Sequence, residues 1–142
     1  MIRTIFTFVM IAFMGIMSAS AQVTGKWKTF DDETGEAKSI VQIYEENGKV
    51  YGKVIEILNP AKKDKKCQNC KGADKDKPIL GLVIIKGLTK DGEEYTDGDI
   101  LDPNKGKLYS CTIKLEGKDK LNVRGYMGIS LLGRTQTWIR VK

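Results

Sequence analysis

The strongest constraint on this chain is an apolar–polar period of two that stops at turn residues and starts again. Tyr109, Cys111, Ile113 and Leu115 alternate with Leu108, Ser110, Thr112 and Lys114, the pattern of a strand with one buried face. Leu121, Val123, Gly125 and Met127 alternate with Asn122, Arg124, Tyr126 and Gly128. In the last run Thr135, Thr137, Ile139 and Val141 alternate with Arg134, Gln136, Trp138 and Arg140, which leaves its inward face ambiguous. Eight runs can be drawn, at about residues 23–30, 37–46, 49–58, 80–87, 94–101, 107–116, 120–128 and 133–141. Asn47-Gly48 joins two of them, and both positions of such a hairpin turn favour positive φ. Asp91-Gly92 and Gly117–Asp119 are further turn candidates. No helical stripe competes with this pattern. Eight antiparallel runs joined mostly by short turns predict an all-β, up-and-down closed barrel, which leaves no exposed edge. A two-sheet sandwich is the alternative.

The first 21 residues stand apart. Arg3 precedes an uncharged, mostly apolar stretch from Ile5 to Met17, and Ala19-Ser20-Ala21 supplies a small-x-small cleavage pattern. This is the layout of a secretory signal peptide. The apolar stretch is shorter than the roughly 20 residues a spanning helix needs. Residues 1–21 are therefore expected to be removed, leaving a single barrel domain at 22–142 with no transmembrane segment. No cysteine follows the cleavage point to carry a lipid. A periplasmic or secreted location, with an oxidising environment, is the consequence.

One segment breaks the strand pattern. Residues 59–78 run from Asn59-Pro60 to Pro78 and hold seven lysines and three aspartates, a net charge of +4. With Arg3 removed, the mature chain carries 23 basic against 18 acidic residues, or +5, so the barrel itself is near neutral. The basic segment has no aromatic residue and so offers no base-stacking platform; a nucleic-acid partner is not expected. An anionic envelope surface is a more suitable partner for it, and a solvated, flexible loop is the simplest expectation of all.

The same loop contains Cys67-Gln68-Asn69-Cys70, and Cys111 is the third cysteine. A thiol–disulfide enzyme would want this motif at the start of a helix, where the thiolate is favoured. No helical pattern follows Cys70, although neighbouring lysines could assist. Zinc would need four ligands, and the chain has three cysteines and no histidine. A structural disulfide between Cys67 and Cys70 is the favoured reading; a bridge from Cys111 to either remains open. Otherwise Cys111 is a buried free thiol.

The absence of histidine also excludes Ser-His and Cys-His nucleophiles. Gly128-Ile-Ser-Leu-Leu-Gly133 lacks the spacing of a hydrolase elbow. Its Ile129, Leu131 and Leu132 would plug one barrel end or form an apolar portal. The carboxylates of Asp31–Glu36 and Glu93–Asp102 fall in turn-like or solvent-facing positions, without the register of a calcium loop. No catalytic site, cofactor or metal is expected.

Gly25-Lys26-Trp27, with arginines at 124, 134 and 140, resembles the calycin arrangement. There a first-strand Gly-x-Trp packs against an arginine near the chain end, at the closed end of the barrel. A wider set is more specific: Asp31 to Gly35, Gly52-Lys53, Cys67-x-x-Cys70, Gly81-Leu82, Asp102-Pro103, Gly106-Lys107-x-Tyr109, Arg124-Gly125-Tyr126-x-Gly128 and Gly133-Arg134-x-x-x-Trp138. Together these resemble the bacterial secreted family called domain of unknown function 2147. The resemblance implies a small lipocalin-like barrel and no established enzyme activity.

The function expected is non-catalytic binding of a small apolar or amphipathic ligand. Trp27, Tyr109, Met127 and Trp138 would line the interior, and Arg124 or Arg140 would meet an acidic headgroup. The same aromatics could equally be core. An envelope interaction module acting through the lysine-rich loop is the alternative, and an enzyme using Cys67 and Cys70 a more distant one.

Overall fold

The computed structural model describes residues 22–127 and 133–142. The proposed signal peptide and residues 128–132, with Ile129, Ser130, Leu131 and Leu132, lie outside them. Eight strands follow in order: β1 (Gly25–Phe30), β2 (Ala37–Glu46), β3 (Lys49–Ile57), β4 (Val83–Asp91), β5 (Glu94–Asp102), β6 (Lys107–Glu116), β7 (Lys120–Tyr126) and β8 (Arg134–Arg140). Each pairs antiparallel with the next, and β8 pairs with β1 to close the barrel. No helix among the described residues is long and apolar enough to cross a membrane.

The alternation dictates the interior. Val41 and Ile43 on β2, Val50 and Val54 on β3, Cys111 and Ile113 on β6, and Leu121 and Val123 on β7 are all buried. Burying a large aliphatic side chain stabilises a fold by about 1.5–3 kcal/mol. The ambiguous last strand resolves in favour of its polar register: Trp138 is buried and Gln136 half-buried, while Thr135 and Thr137 are exposed.

One boundary moves. The fourth run was expected at 80–87, but β4 spans Val83–Asp91. Ile79 to Leu82 form a turn instead, with Gly81 at φ +90° and the Leu82 amide donating to the Ile79 carbonyl at 3.0 Å. Ile79 and Leu82 are apolar because they join the core as part of this turn. At its other end β4 continues to Asp91, where it pairs with Glu94.

The two barrel ends differ. Three short hairpins, at 47–48, 92–93 and 117–119, lie at one end together with the start of β1 and the end of β8. Asn47 and Gly48 both adopt positive φ, as their turn requires. Here Trp27 is fully buried and its indole N–H donates to the Val23 carbonyl at 2.8 Å. The Arg140 guanidinium lies 4.3 Å from the Trp27 ring centre and donates to the carbonyls of Lys118 (2.8 Å), Thr24 (3.1 Å) and Gln22 (2.6 Å). Gly25 leaves room for it, since a Cβ there would sit 2.9 Å from Arg140 Nη1. Among the three arginines of the calycin-like pattern, Arg140 is thus the one that seals the closed end.

The lysine-rich loop is not a free, solvated strap. An isolated bridge joins Lys66 and Pro78, and 3-10 turns form at Pro60–Lys62 and Gly72–Asp74. Cys67 and Cys70 are disulfide-bonded and buried. Cys67 Sγ sits 3.3 Å from the Pro103 carbonyl oxygen, and the Asn69 side-chain amide donates to the Asn104 carbonyl at 2.9 Å. Lys86 of β4 and Lys77 pair with Asp74, and the Lys86 ammonium beside it holds the Asp74 carboxyl below the usual carboxylate range. Cys67, Cys70 and Ile79 belong to the apolar core of the barrel, as does Leu101 of β5, which is only 3% exposed while its cross-strand partner Leu108 is 51% exposed.

Cys111 is a free, buried thiol, as the alternation suggested. Burial, with a smaller contribution from the Asp99 carboxylate, pushes its pKa up to about 12 from an ordinary 9.0. Because the folded state holds this proton more tightly, its stabilising effect is complete below about pH 9 and is lost as pH rises from there toward 12. Cys111→Ala is therefore expected to flatten the alkaline fall in urea stability between pH 8 and 11. An unchanged slope would show that the thiol does not contribute to it.

Candidate functional site

The other end of the barrel carries the longer described connections, at residues 31–36, 58–82 and 103–106. A cavity of about 340 Å³ opens there, near the lower limit of the roughly 300–1,000 Å³ typical of small-molecule pockets. Its apolar wall comes from seven side chains and one glycine of the strands: Val54 and Ile57 of β3, on either side of a β-bulge, Ile84 of β4, Ile100 of β5, Tyr109 of β6, Val123 and Gly125 of β7, and Trp138 of β8. Below them Ile85, Leu88, Ile113, Leu121 and Trp27 pack as solid core. This packed layer separates the mouth cavity from a second, more polar cleft of about 600 Å³ at the hairpin end, bordered by Thr24, Glu45, Lys90, Glu93 and Tyr95.

The rim is polar and carries both signs of charge. Lys38, Lys62, Lys65, Lys105 and Arg134 face Asp31, Asp32, Glu36 and Asp102, but these carboxylates are not equivalent. Asp31 accepts the backbone amides of Glu33 (2.9 Å) and Thr34 (3.0 Å), which lower its pKa. Asp102 accepts those of Asn104 (3.0 Å) and Lys105 (3.2 Å). Both shape their own turns. Asp32 instead reaches across to β8, where Arg134 Nη2 and Gln136 Nε2 each donate to its Oδ2 at 2.6 Å. Beneath the rim the hydroxyls of Thr29 and Ser39 satisfy each other at 2.7 Å.

Of the residues expected to bind a ligand, the structure brings only Tyr109 and Trp138 to the cavity wall. Trp27 and Arg140 lie at the opposite end, stacked on each other. Arg124 takes the outward parity of β7, opposite to Val123 and Gly125, and its guanidinium lies 5.9 Å from the Tyr126 ring centre. Met127 is 60% exposed at the end of β7 and does not line the cavity. The sequence suggests no ligand role for Gln136, and names Arg134 only among the three arginines of the calycin-like pattern. The signal was present in the last strand, whose Arg-x-Gln-x-Trp face is too polar for packed core and suits a cavity wall.

A closed eight-stranded up-and-down barrel with a Trp–Arg pair stacked at one end and an apolar cavity at the other is a lipocalin-like fold. Protein HP1028 from the human pathogen Helicobacter pylori, described as belonging to the lipocalin family, superposes with a TM-score of 0.75. The match covers 86% of this chain and 84% of that one at 23% sequence identity. The chain itself belongs to the family described as uncharacterized protein conserved in bacteria (DUF2147), whose model matches residues 25–140. No curated protein matched the sequence.

Proposed function

We infer that this protein is an exported, non-catalytic binder of a small apolar or amphipathic molecule, held in the barrel and admitted through the mouth. The observation that carries this reading is the cavity itself, an apolar space at the one end where the connections are long. A bacterial family and a disulfide suit a location outside the cytoplasm. Burial of both Cys67 and Cys70 weighs against thiol chemistry, which needs an accessible sulfur.

Gly125 gives the reading a clean test. A Cβ placed there would make ordinary contacts with Ile100 (3.4 Å) and Tyr109 (3.5 Å), so a larger side chain would extend over the cavity floor. The mature protein is expected to bind the neutral fluorophore N-phenyl-1-naphthylamine, and Gly125→Leu to weaken binding by about tenfold or more. Equal binding by both proteins, or none by either, would reject the barrel as the ligand site. A second reading rests on the exposed Lys63, Lys66, Lys71 and Lys75 of the docked loop: contact with an anionic envelope surface. Its signature would be salt-sensitive co-sedimentation with phosphatidylglycerol vesicles that Gly125→Leu leaves intact.

A further inference from the structure

The seam between β1 and β8 is short and opens toward the mouth. Trp27 pairs with Arg140 and Lys28 with Ile139, and the ladder stops there. Nearer the mouth, Arg134 and Gln136 on β8 have only the β1–β2 loop opposite them, and Asp32 of that loop spans the gap. The polarity of this contact is set from below. The Trp138 indole can only donate, and it donates to Gln136 Oε1 at 3.2 Å. The Gln136 amide is thereby turned so that its N–H2 faces the mouth. Arg134 adds a second donor aimed at the same oxygen. Two donors, one fixed by the cavity wall and one permanently cationic, make a seat for a carboxylate-like anion.

Resting on the reading of the barrel as a binding site, we propose that Asp32 is a built-in stand-in for the ligand's headgroup. The ligand class is an anionic amphiphile: its chain fills the space beside Trp138, and its headgroup displaces Asp32 from Arg134 and Gln136. The exchange is inexpensive. Arg134 is 63% and Asp32 32% exposed, and ion pairs in such settings contribute little. Release of Asp32 frees the 31–36 loop at the seam, so headgroup binding and opening of the mouth are one event.

Titrations of the mature protein with dodecanoate, dodecanol and dodecylammonium, by displacement of N-phenyl-1-naphthylamine or by calorimetry, test this. Dodecanoate is expected to bind tightest and dodecylammonium weakest. Asp32→Ala should strengthen dodecanoate roughly fivefold by removing the internal competitor, with Asp32→Asn moving the same way. Arg134→Gln should weaken dodecanoate about tenfold, and neither substitution should move dodecanol more than about twofold. If dodecanol binds but dodecanoate gains nothing from Asp32→Ala, or Arg134→Gln affects both amphiphiles equally, the headgroup seat is wrong and the barrel reading survives. If no amphiphile binds at all, both fall.

Discussion

Trp27→Ala is expected to remove about 3–5 kcal/mol of stability, a large part of the roughly 5–15 kcal/mol that holds a domain together. Trp27 is fully buried and lies on the strand that closes the barrel. Two register pairs join β1 to β8, and Trp27 with Arg140 is one of them. Loss of the ring opens a cavity in the core and removes the surface on which the Arg140 guanidinium rests. That guanidinium ties residues 22 and 24 and the 117–119 turn to the chain end through three carbonyls. Arg140→Ala should therefore also be costly, by about 2–3 kcal/mol. Urea melts of the two single variants and the double variant measure their coupling. A double variant no worse than Trp27→Ala alone would show that the arginine acts through the ring; full additivity would break the proposed link. Trp27→Phe is the milder probe should Trp27→Ala fail to fold.

The second large effect is expected at Gly106. It adopts φ +68°, and a Cβ there would overlap the Asn69 carbonyl within the disulfide turn. Gly106→Ala therefore carries two costs: the left-handed backbone, about 1–2 kcal/mol, and displacement of the docked loop. Gly117 isolates the first, since it has nearly the same φ, +69°, and open space around its absent Cβ. Gly106→Ala should lose at least 1–2 kcal/mol more than Gly117→Ala by urea denaturation, roughly the exposure of one Leu101-sized side chain. Trypsin should also cut the lysine-rich loop sooner in Gly106→Ala, because undocking exposes its backbone. Equal costs and equal cleavage at both sites would mean that the loop is not held against the barrel.

These two sites mark where local pattern suffices and where it fails. Each strand is a local object, recognisable from a period of two and from turn residues such as Asn47-Gly48. The Trp27–Arg140 seal was legible as a resemblance, although three arginines competed for the role. Arg124 lost it because its neighbours Val123 and Gly125 take the inward parity of β7, while Arg140 sits at the same barrel end as Trp27. Gly106 looked like any turn glycine, since nothing within a few residues of it announces Asn69. The lysine content of residues 59–78 suggested solvation, and most of those lysines are exposed; it is the two cysteines and Ile79 that are buried.

By itself, then, the sequence determined the number and order of the strands and the sidedness of those with a clear alternation, and it favoured a closed antiparallel barrel and a bridge between the two near cysteines. All of these follow from interactions between residues close along the chain or from one repeated alternation. Only the tertiary structure decided at which end of the barrel the apolar cavity lies. It also decided that the charged loop is docked, and that Asp32, Arg134 and Gln136 meet across the seam. Those outcomes depend on register around the closed ring, where residues about a hundred positions apart become neighbours, and no local period encodes that distance.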